Sequence, residues 1–187
     1  MSMLLEDALP LVKYQGLNTN KNVAFGGTLA VTGATTLPAG TTIGGVLGVQ
    51  GAVNASGGAT VALTAAQSGQ VFLMDAATGI AYTLPTTPVA GMSFTFIVSV
   101  SVTSNAHSVT AVQSSIFLSG AVQSLISASA TTKAFFANGT SNYTLSMNGS
   151  TTGGLIGTTL TFTAISATVW NVTGLVAASG TLATPIT

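Results

Sequence analysis

The sequence predicts an all-β protein: an extended Gly/Thr-rich N-terminal arm, residues 1–60, followed by a β-sandwich or jelly-roll-like domain, residues 61–187. Three observations predict it. Short runs in the second part alternate apolar and polar residues with the period of two that a half-buried strand requires. Gly, Pro and Asn punctuate those runs, and no stretch sustains the 3.6-residue stripe of an amphipathic helix. Of the 8 Phe, 3 Tyr and 1 Trp, only Tyr14 and Phe25 precede position 72, so the side chains that bury most area are concentrated in the second part.

The arm opens with a short helical or turn segment, Leu4 to Leu9, stopped by Pro10, and continues as extended chain. Glycine recurs through residues 26–60, as in Gly26-Gly27, Gly44-Gly45 and Gly57-Gly58. The phrase Leu29-Ala30-Val31-Thr32-Gly33-Ala34 returns after 18 residues as Leu47-Gly48-Val49-Gln50-Gly51-Ala52. Strands this short are marginal in water by themselves. They are stable if several chains wind together, with Leu29, Val31, Leu37, Ile43, Leu47 and Val49 as intersubunit anchors. Burying one such side chain contributes roughly 1.5–3 kcal/mol. The alternative is a flexible linker, although linkers are ordinarily richer in Ser and charge.

In the second part, strands are expected at Gln70 to Met74, Ile80 to Leu84 and Ser93 to Val102, the last placing Phe94, Phe96, Val98, Val100 and Val102 on one face. Further strands are expected at Ser108 to Val112, Phe135 to Ala137, Asn142 to Leu145, Thr158 to Thr163 and Thr168 to Thr173. Asn138-Gly139 marks a turn, because both residues tolerate positive φ. Trp170 is expected to be a core or interface anchor.

Charge separates this chain from ordinary soluble domains. Charged residues are 3% of the sequence, against about a quarter in a typical domain. They are Glu6, Asp7, Lys13, Lys21, Asp75 and Lys133, with no arginine. Such a surface is wetted by Ser, Thr, Asn and Gln, and lacks the repulsion that keeps monomers apart. A permanent homo-oligomer is expected. Three scattered lysines cannot neutralise a phosphate backbone, so no nucleic acid is expected as partner. No apolar run reaches the 18 or so residues of a membrane-spanning helix. Glu6-Asp7 stands where a secretory signal would carry lysines. An outer-membrane barrel would usually bring aromatic girdles and a charged lumen, which this composition does not suggest.

Catalytic groups are nearly absent, so no catalytic, cofactor-binding or metal residues are assigned and a non-enzymatic protein is expected. His107 is the single histidine and there is no cysteine, which leaves no multi-ligand zinc set within one chain. The polar run Thr103-Ser104-Asn105-Ala106 before it suggests a surface histidine. Asp75, between Val71-Phe72-Leu73-Met74 and Ala76-Ala77-Thr78-Gly79, reads as a turn residue whose carboxylate accepts from nearby backbone N–H groups; a cation ligand is the sharper alternative.

Two stretches carry a resemblance. Residues 22–37, NVAFGGTLAVTGATTL, resemble the uncharged phrases of fibres and trimeric decoration proteins of tailed bacteriophages. The order Ser68-Gly69 to Phe72 and Asp75, then Thr83-Leu84-Pro85, then Gly91-Met92-Ser93-Phe94-Thr95-Phe96, is similar to small β-rich phage head proteins, and Trp170-Asn171-Val172-Thr173-Gly174 fits the same pattern. The resemblance implies a capsid decoration (cement) protein: a homotrimer on the virion surface, bound to the major capsid protein. A tail fibre or receptor-binding protein is the alternative within that class, and a carbohydrate-binding sandwich the alternative outside it.

Overall fold

In the computed structural model of the chain, the described residues are 54–55, 60–112, 115–129 and 131–187. Leu4–Leu9 and the six arm anchors, Leu29, Val31, Leu37, Ile43, Leu47 and Val49, lie outside them.

The described residues are nearly all β. They form β1 (Asn54–Ala55), β2 (Thr60–Ala62), β3 (Val71–Met74), β4 (Ala81–Thr83), β5 (Ser93–Val98), β6 (His107–Thr110), β7 (Phe117–Ile126), β8 (Thr132–Asn138), β9 (Thr144–Met147), β10 (Thr159–Ala164) and β11 (Val169–Ala178). One 3-10 turn, Ala65–Gln67, lies between β2 and β3. The strands make two sheets, one of seven in the order β1-β3-β5-β10-β11-β7-β8 and one of four in the order β2-β4-β6-β9.

From β1 to β6 the chain alternates between the sheets, so β1, β3 and β5 pair in parallel in one while β2, β4 and β6 pair in parallel in the other. This half is wound as successive coils. The second half closes it with antiparallel pairs, β5 with β10, β10 with β11, β7 with β8 and β6 with β9, and one long parallel pair, β7 with β11.

Alternation buries one face of each sheet. Register aligns Phe72, Phe96, Leu160, Gly174, Val122 and Phe135 across the large sheet, and Val61, Tyr82, Val109 and Leu145 across the small one. Phe72, Phe96, Leu160, Val122, Tyr82, Val109 and Leu145 of these rows belong to one hydrophobic core, against which Phe135 and Val61 pack. Tyr82 of the small sheet meets Phe96 and Phe72 of the large one at ring-centroid distances of 5.0 and 5.6 Å. Its hydroxyl donates to the Leu73 carbonyl at 3.2 Å, so this buried phenol is satisfied.

Three expectations need correction in detail. The strand from Ser93 ends at Val98, and the alternation beyond it is broken: Val102 is buried while Val100 is exposed. The Asn138-Gly139 turn forms as expected, between strands of different sheets, with Gly139 at φ +76° and Asn138 Oδ1 accepting from the N–H groups of Thr140 and Ser141, both at 2.9 Å. The other two corrections, at His107 and Asp75, belong to the candidate site.

Candidate interaction surface

The outer face of the seven-stranded sheet follows from the same alternation. One row across it reads Val71, Thr95, Thr161, Thr173, Ala121, Phe136, and the next reads Leu73, Ile97, Thr159, Leu175, Gln123, Ala134. Neither row carries a charge. Hydroxyls and small apolar groups alternate on it, and Thr95 and Thr161 share a hydroxyl hydrogen bond of 3.3 Å. Phe136, on edge strand β8, is 76% exposed.

The small sheet presents Thr60, Ala81, Ser108 and Ser146 outward, then Ala62, Thr83, Thr110 and Thr144, again without charge. Large apolar side chains also cap both ends of the β5–β10 pair. Val89 and Ile165 stand at one end and Val100 and Ile156 at the other, all exposed. Asp75 and Lys133 are the charged side chains among the described residues. Lys133 Nζ donates to the Leu182 carbonyl at 3.2 Å.

His107 corrects the expectation of a surface histidine. It opens β6 and is fully buried, on the same inward face as Val109. Nδ1 accepts the Ile80 N–H at 3.1 Å, which leaves the proton on Nε2, facing the Val100 carbonyl at 3.3 Å. Burial holds its pKa below the usual imidazole value, against smaller opposing effects of the Val100 carbonyl and Asp75. Asp75 differs from expectation too: its Oδ1 is buried and accepts no hydrogen bond. Among the described residues no group of three His, Cys, Asp or Glu gathers to hold a metal, and no pocket opens.

The neutral histidine has a consequence for stability. The unfolded chain takes up a proton below about pH 6.5, whereas the folded chain does so only at the lowered value. Stability is therefore expected to fall as pH drops through that window. Protonation also places a proton on Nδ1, which ends its bond with Ile80. His107→Gln can keep both hydrogen bonds without titrating, so its urea midpoint is expected to change less than the wild type between pH 7 and pH 5. Equal pH dependence in both proteins refutes the assignment.

Comparison of the chain with protein-family models, curated proteins and solved structures finds no match.

Proposed function

We propose that this chain is a non-catalytic virion structural protein, a capsid decoration protein of a tailed bacteriophage that assembles as a homotrimer and binds the major capsid protein. The observation that carries the reading is the outward surface itself: rows of Thr, Ser and small apolar residues, with Asp75 and Lys133 the charged side chains among the described residues. A free protein gains solubility from net charge, whereas a subunit held in an assembly does not need it. Apolar tips at both ends of the β5–β10 pair suit a clamp. A six-residue strand spans about 20 Å, so Val89 with Ile165 and Val100 with Ile156 can reach two neighbours at once.

Labelling intact particles with an antibody to this protein tests the role. A regular lattice of label over the head is expected; label confined to the tail would favour a fibre or receptor-binding protein, and unlabelled particles would refute the virion reading. Phe136→Ser tests the face. Because the ring is exposed, the substitution is expected to shift folding stability by no more than about 0.5 kcal/mol. If the ring is buried between subunits, the same change weakens association at least about tenfold, since burying a Phe contributes roughly 1.5–3 kcal/mol. Light scattering across a dilution series reads the difference, and a trimer unaffected by the substitution removes Phe136 from the interface.

A further inference from the structure

The sequence has two Asn-Gly pairs, Asn138-Gly139 and Asn148-Gly149, each followed by two hydroxyl residues, Thr140-Ser141 and Ser150-Thr151. β8 ends at Asn138 and β9 at Met147, so each pair begins a turn where a strand stops. The fold builds the same turn twice. In each, the asparagine Oδ1 accepts from the N–H two residues on, Thr140 or Ser150, at 2.9 Å. It also accepts from the N–H four residues on, at 3.4 Å from Asn142 and 3.1 Å from Thr152. Nδ2 donates to the hydroxyl three residues on, at 2.7 Å to Ser141 and 3.0 Å to Thr151. The asparagine's own N–H donates to Asn142 Oδ1 or Thr152 Oγ1, at 3.0 Å in both. The glycines have φ of +76° and +79°.

Asn-Gly is chemically the weakest pair in a chain, because glycine has no side chain to obstruct attack by its own nitrogen. That nitrogen loses its proton to base and attacks the asparagine Cγ. The N–Cγ bond forms, the Cγ–Nδ2 bond breaks, and Nδ2 leaves as ammonia with a proton from water. Water then opens the cyclic imide to aspartate or isoaspartate. Burial does not prevent this here, since both asparagines are exposed. The hydrogen bonds do. Gly139 N–H donates to the Leu118 carbonyl at 2.8 Å, and Gly149 N–H to the Gly153 carbonyl at 2.6 Å. An amide held in this way gives up its proton only after a local opening, the event that hydrogen exchange measures. The N–H groups on Oδ1 polarise Cγ, but that helps no attack while the nitrogen keeps its proton.

We propose that the two turns are locks on deamidation: Asn138 and Asn148 are modification sites that the folded chain holds closed and that open when the turn opens. The side-chain bonds across each turn keep its glycine N–H on its carbonyl. The first turn is also tied to β7, where the Leu118 N–H donates to the Asn142 carbonyl at 2.6 Å. The second receives the chain beyond β11, with Ser179 and Gly180 N–H groups donating to the Ser150 carbonyl at 3.1 and 3.4 Å. Each conversion adds one negative charge to a surface on which Asp75 and Lys133 are the charged side chains among the described residues. Isoaspartate also routes the backbone through the side chain, which moves every donor of the turn away from its acceptor. The locks do not depend on the virion role.

The full-length chain, incubated at mildly alkaline pH with and without urea, reads the locks by isoelectric focusing and peptide mapping. Conversion at Asn138 and Asn148 is expected to be at least about tenfold slower in the folded chain, because the glycine amide must first open. Two variants locate the cause. Ser141→Ala with Asn142→Ala removes the side-chain bonds of the first turn, and Thr151→Ala with Thr152→Ala weakens the second. Each is expected to speed conversion severalfold at its own asparagine, while the untouched turn serves as the reference within the same molecule. A variant that merely unfolds would open both sites together. Wild-type conversion as fast as in urea, variants no faster than wild type, or a variant that speeds both sites alike would each overturn the proposal.

Discussion

Trp170→Ala is expected to cost about 3–5 kcal/mol, the range for removing a fully buried aromatic side chain from a core. Domain stabilities lie at about 5–15 kcal/mol, so much of the margin is at stake. Trp170 is completely buried on β11, between Ala164 of β10 and Leu118 of β7. Its ring lies 5.6 Å from that of Phe94, and the contact continues through Phe72 and Phe96 to Phe162. Few neighbours can move to fill the space, because the β7–β11–β10 ladders hold the backbone on both sides. Trp170→Phe is expected to cost much less. The indole Nε1–H is buried without an acceptor, and an unmade hydrogen bond of this kind carries a penalty of about 1–3 kcal/mol. Removing that donor offsets part of the lost ring area. Urea midpoints followed by far-UV circular dichroism compare the three proteins without relying on the tryptophan. If Trp170→Phe is as damaging as Trp170→Ala, the unpaired N–H has been misjudged.

What was legible in the sequence follows from what alternation can encode. Ser93 to Val98 and Thr159 to Ala164 read clearly because every second side chain is large and buried. β7 did not read, although it has ten residues. Its inward positions include Gly120 and Ser124 beside Leu118 and Val122, so the apolar face is interrupted twice. His107 was misread for a related reason. The polar turn before it suggested solvent, while its parity with Val109 and Ala111 pointed inward. The coiled order of β1 to β6 was out of reach, because strand period says which face is buried and nothing about which strand lies alongside. The pairing offset lengthens from 18 residues between β1 and β3 to 24 between β3 and β5, so only the earliest coil matches the repeat seen in the sequence. The uncharged outer face was legible only as composition. That it forms continuous rows, and that Phe136 stands on one of them, depends on cross-strand register.

Gly174→Ala is expected to be strongly destabilising, because the added methyl meets backbone at the centre of the large sheet. Gly174 lies in the middle of β11 with φ +148°, paired with Leu160 on one side and Val122 on the other. A Cβ there would overlap the Thr159 carbonyl oxygen and stand 2.9 Å from Leu160 Cα. Both obstacles are backbone atoms of the neighbouring strand, so relief requires β10 to move away from β11. Backbone strain of about 1–3 kcal/mol adds to about 1–3 kcal/mol for overpacking, on the order of 4 kcal/mol in all. Gly91→Ala separates the two contributions. Gly91 also has positive φ, +95°, but nothing lies within 4 Å of its added Cβ. That variant pays only the conformational cost, roughly 1–2 kcal/mol. The difference between the two urea midpoints therefore measures how closely β10 and β11 approach at the centre of the large sheet. Equal losses in both variants would mean that β10 yields easily and that the glycine is there for backbone conformation alone.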